Sequence, residues 1–145
     1  MKFARHPLHT MIIHFPTALL PMDLFLSVLG FYYHQPSFIS AASYCLFGGV
    51  VSGLLALLSG VIDLIKLPEE KKPAHSTAVT HGVINGMILL IYTMIAYKAM
   101  KSYPEFNPAT PVMLWTKGIL VAGLFVGNYM GGKLIYKFQV GIISK

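Results

Sequence analysis

A chain of 145 residues is long enough for one domain. Only 11% of its residues are charged and 55% are hydrophobic, against roughly 25% charged in a water-soluble domain, so there is too little polar surface to cover a globule in water and the composition points to a membrane protein. The net charge of +6 does not indicate nucleic acid, because the basic residues stand at the ends of apolar runs and not in a stripe interleaved with aromatics.

The first apolar run covers about residues 10–33 and opens on HPLHTMIIHFP (6–16), with histidines at 6, 9 and 14. Lys2 and Arg5 precede it as in a secretory leader. Its length, Asp23 and the lack of a small-residue cleavage site instead predict a retained helix. Pro16 and Pro21 leave the carbonyls near Ile12 and Thr17 without helical donors, so a bent entry is expected, aiming His14 inward. After the turn YYHQPS (32–37), a second run covers about 38–67. It holds Cys45, a small packed hydrophobe with no disulfide partner, and a face of small residues at Gly48, Ser52, Ala56 and Gly60. The charged loop LPEEKKPAH (67–75) leads to a third run at about 77–100, with His81 and Asn85 one turn apart. The proline-rich KSYPEFNPATP (101–111) leads to a fourth at about 111–130, where Gly123 and Gly127 begin a second small stripe that Gly131 continues. A basic tail follows, with Lys133, Tyr136 and Lys137 suited to an interface.

Each run supplies the roughly 20 residues that cross a bilayer core as a helix, and none shows the short alternating pattern of a barrel strand. The expected fold is all-α: one integral membrane four-helix bundle, up-down-up-down, with no internal repeat evident. Lys2, Arg5, Lys66, Lys71, Lys72, Lys133, Lys137 and Lys145 fall on one side of such a bundle, and Lys98, Lys101 and Lys117 on the other. The lysine and arginine bias predicts both termini in the cytoplasm.

With that topology His9, His14, His81 and Asp63 gather near the cytoplasmic ends of the first three helices. At the helical rise, His14, Asp63 and His81 share a layer on the order of 5–10 Å inside the apolar boundary. The first and third helices are diagonal neighbours, leaving roughly 12–14 Å between axes, room for a flat macrocycle between His14 and His81. His9 and His14 differ by about 140° of rotation and point different ways. Asn85 shares the face of His81. Asp23, at mid-helix, stands half a turn from His14 in rotation and is expected to meet a polar partner inside the bundle or in a neighbouring subunit. No GxSxG or HExxH motif points to hydrolysis.

HPLHxxxxHFP, then GVID (60–63), HxxxN (81–85) and GGKLIY (131–136), in that order, make a pattern spanning essentially the whole chain. It resembles the bacterial membrane-protein family catalogued as domain of unknown function 2231. The resemblance implies a four-helix membrane domain in the company of electron-transfer modules, such as Rieske iron–sulfur or cytochrome-type domains. It marks His9, His14, Asp63, His81 and Asn85 as the polar positions that matter, and leaves His75 and His34 outside.

Three readings follow. The first is a b-type haem protein with an electron-transfer role, His14 and His81 (or His9) ligating haem b and Asp63 or Asn85 orienting the ligands; no CxxCH motif supports a c-type attachment. Its partners would be quinone, a Rieske or cytochrome protein, or a larger respiratory-type membrane complex. The second is a non-haem iron or zinc site on His14, His81 and Asp63. The third is an accessory subunit whose histidines are hydrogen-bonded packing residues. None makes the chain an enzyme in its own right.

Overall fold

The computed structural model describes residues 8–67 and 72–138. Lys2, Arg5, His6, Lys71 and Lys145, used above, lie outside them. The described residues form α1 (Leu8–Ile12), α2 (His14–Tyr33), α3 (Pro36–Ile65), α4 (Lys72–Met100) and α5 (Pro111–Tyr136). Helices α1 and α2 make one nearly continuous span, so four helical segments are long and apolar enough to cross a membrane.

The proline positions explain most of the boundaries. Pro16 has no N–H to offer the Ile12 carbonyl, and the path breaks at Ile13 before resuming at His14. Pro36 and Pro111 sit in the first turns of α3 and α5, where the missing donor costs nothing. Thr110 caps α5, its Oγ1 accepting from the Met113 N–H at 3.3 Å. Pro73 occupies the first turn of α4, so this helix starts earlier than the expected residue 77. Helix α5 runs through Gly131 and Gly132 to Tyr136, past the expected end at 130. Helix α2 closes on His34, whose φ of 53° is left-handed and whose N–H reaches the Gly30 carbonyl at 3.0 Å, an αL ending more often taken by glycine.

Helix α2 packs on α3, α3 on α4, α4 on α5, and α5 back on α2, while α1 lies against α3. The α1–α2 span and α4 are therefore diagonal, as in an up-down-up-down square. The centre is filled by Leu20, Leu46, Val50, Ile88, Tyr92, Leu120 and Leu124. Outside it, Phe25, Val51, Leu54, Leu58, Met94, Ile119 and Phe125 are exposed. Such a continuous apolar girdle is untenable in water and natural against acyl chains. Tyr32, Tyr33, Tyr97 and Trp115 are exposed toward one end and Tyr129 and Tyr136 toward the other, as aromatic residues at the two interfaces are.

Candidate functional site: two tethered imidazoles

The ring that meets His81 is His9. Their centroids lie 6.3 Å apart with the planes at 86°. His9 is carried by the short α1, and its Nδ1 stands 2.8 Å from the Ala56 carbonyl oxygen on α3 and 3.3 Å from Ser59 Oγ. His81, on α4, places Nδ1 2.8 Å from the Gly127 carbonyl oxygen on α5. A carbonyl only accepts, so in both rings Nδ1 carries the proton and Nε2 is left as the lone-pair nitrogen of the neutral imidazole. Each ring is thereby fixed in tautomer and orientation by a neighbouring helix, as histidines that bind metals usually are.

Glycines make room for both rings. A Cβ at Gly60 would stand 3.0 Å from His9 Cε1, and a Cβ at Gly131 would stand 3.0 Å from His81 Cε1. Asn85 donates its amide to the His81 carbonyl at 2.9 Å and lies over Gly127, where a Cβ would collide with its amide at 2.5 Å. The small stripes on α3 and α5 thus serve two purposes: close helix approach and seats for the imidazoles.

The two seats correspond residue by residue. Histidine and accepting carbonyl are 47 residues apart in the first hairpin and 46 in the second. Four residues after each carbonyl comes the glycine under the ring, Gly60 or Gly131, and six further on a lysine that ends the helix, Lys66 or Lys137. The α1–α2–α3 unit and the α4–α5 unit are therefore built alike around the ring pair. No internal repeat was expected, because outside these positions the two halves share little sequence.

Other expected site residues fall elsewhere. His14 is exposed, with Nδ1 3.3 Å from the Met11 carbonyl in its own span. The turn at Ile13 and the 140° between His9 and His14 carry it away from the centre. Asp63 is exposed on α3, and the Nδ1 partners of both central rings are carbonyls, so it orients neither of them. The trio His14, His81 and Asp63 does not assemble: among the described residues no group of three His, Cys, Asp or Glu side chains forms a metal cluster. His75 is half-buried on α4 and His34 exposed.

Asp23 has its polar partner inside the bundle. Lys117 Nζ on α5 is 2.7 Å from Asp23 Oδ1 and 2.9 Å from Ser27 Oγ, and Ser27 donates to Asp23 Oδ1 at 3.3 Å. The carboxylate is fully buried and the lysine 3% exposed. Lys117, counted above as a charge flanking the membrane, is a core residue two turns inside α5. Its distance from Pro111 was the available signal.

The sequence matches the family described as "Predicted membrane protein (DUF2231)" over residues 5–144. The chain belongs to this family. No curated protein and no solved structure matches it. Membership in this membrane family agrees with the apolar girdle and the four membrane-length helices.

Proposed function

We propose that this member of the family is a b-type haem protein of the bacterial inner membrane with a role in electron transfer, in which His9 and His81 would hold the haem. One observation carries the reading: two imidazoles from diagonal helices, their centroids 6.3 Å apart, each with Nδ1–H held by a carbonyl and Nε2 left unprotonated. Two neutral imidazoles suit the donor chemistry of haem iron. Two imidazoles would suffice to hold haem, whereas zinc or non-haem iron asks for a third protein ligand, and Asp63 is exposed on α3. When bound, haem iron supplies one-electron exchange. The chain's own contribution would be to orient the rings through the Ala56 and Gly127 carbonyls.

The lysine bias supports termini in the cytoplasm, which puts the ring pair in the inner half of the membrane. From there a quinone, a Rieske or cytochrome protein, or a larger respiratory-type complex is within reach as the electron partner.

The glycine seats favour a second reading, an accessory subunit. Each histidine already joins two helices by a partly buried hydrogen bond, and the two ring planes stand nearly perpendicular. In that case they are clamps that hold the bundle.

Haem titration into the detergent-purified protein separates the two. The haem reading predicts a saturable Soret band at one haem per chain, with a b-type α-band on reduction. A chain that stays colourless from haem-replete cells and takes up no added haem leaves the clamp reading.

A further inference from the structure

A cavity of about 140 Å³ lies at the end of the bundle away from the two histidines, between α2, α3, α4, α5 and the loop that joins α4 to α5. Phe106 of that loop is held over it, its ring 5.8 Å from those of Tyr44 and Phe47 and 5.9 Å from that of Tyr103. The walls are largely apolar, with Ile39, Leu46, Ile95 and Met113 among them. Two lysines, the exposed Lys98 and the buried Lys117, are among its lining residues, and no acidic residue is. Lys117 has three N–H donors. Asp23 Oδ1 and Ser27 Oγ take two of them. Asn107 Nδ2 donates to Ser102 Oγ at 2.8 Å, which fixes the loop at the cavity's margin.

From this we infer that the cavity binds a small organic monocarboxylate. Lys117, opposed by a single buried carboxylate, and Lys98 together favour one negative charge. The apolar walls favour a hydrocarbon body, which sets the ligand apart from inorganic anions. The volume is close to that of an engineered apolar cavity of about 150 Å³ that holds one benzene, and below the 300 Å³ or so of sites for drug-sized ligands. A chain of about four carbons with its carboxylate toward Lys117 fits the space. The inference is independent of haem.

Ligand-observed NMR on the full chain in detergent, with butyrate and its neutral analogue butyramide as probes, tests it. Butyrate is expected to bind saturably and butyramide about tenfold more weakly, the loss that goes with a charge-assisted hydrogen bond. Lys98→Gln should weaken butyrate several-fold. Ala99→Leu, which fills the cavity without touching the ion pair, should abolish binding while the thermal midpoint stays at or above that of the parent. Ala109→Leu, from the loop side, serves the same purpose if Ala99→Leu does not fold. Equal affinity for the amide, binding that survives a folded cavity-filling variant, or no saturable butyrate binding overturns the inference.

Discussion

At the scale of single residues, the arrangement depends on where polar atoms were placed inside an apolar bundle. Asp23 and Lys117 are each tolerable only because of the other. Breaking a buried pair from one side strands a charge and costs about 3–5 kcal/mol, whereas replacing both with apolar groups is often neutral. Lys117→Met should therefore lower the thermal midpoint in detergent sharply, and Asp23→Leu with Lys117→Met should recover most of the loss. A double variant as unstable as the single one would mean that the pair does more than neutralise itself. His34 offers a simpler test. Its left-handed backbone costs roughly 1 kcal/mol in a residue with a Cβ, so His34→Gly should raise stability slightly, and a clear loss would reveal a role for the ring. Asn85 and His81 were legible in the sequence because a spacing of four places them on one helical face. The choice of His9 over His14 was not. It depends on how the span rotates through the break at Ile13, and a proline in the sequence marks a bend without giving its angle. Lys117 was missed because a lysine close to a predicted helix start resembles a flanking charge.

At the scale of elements, two helical units present one seat each to the ring pair, and the glycines are the part of each seat that sequence can alter most cleanly. Gly60→Ala and Gly131→Ala place a methyl 3.0 Å from an imidazole carbon, and overpacking of this kind costs about 1–3 kcal/mol. Gly82→Ala meets nothing within 4 Å and should gain up to about 1 kcal/mol from helix propensity. Thermal unfolding in detergent should thus give opposite signs for the two classes, and similar losses for Gly60 and Gly131. Equal effects at all three sites would show that the seats do not press on the rings. The small stripes were visible in the sequence as four-residue spacings. Their second use was not, since spacing alone says that a face is small without saying what lies on it. The likeness of the two halves rests on a histidine, a carbonyl, a glycine and a lysine. A backbone carbonyl leaves no mark on residue identity.

At the scale of the whole molecule, composition alone sufficed for the class, and hydropathy for the four spans, since a bilayer imposes helix length directly. Sidedness is the open physical claim, and it rests on lysine and arginine counts. In a Cys45→Ser background, Lys72→Cys and Lys137→Cys should be shielded from an impermeant thiol reagent in intact cells, while Gln35→Cys and Asn107→Cys should react. The reverse pattern would put the ring pair in the outer half of the membrane and change the set of available partners.

The central claim is that His9 and His81 together hold one haem iron and that His14 does not. The measurement that tests it most directly is the oxidised and dithionite-reduced absorption spectrum of the purified protein beside His9→Ala, His81→Ala and His14→Ala. The account predicts a b-type spectrum in the parent that His14→Ala keeps and that either of the other substitutions collapses or shifts to a high-spin form. A parent without a haem spectrum, or a spectrum lost in His14→Ala and kept in His9→Ala, would contradict it.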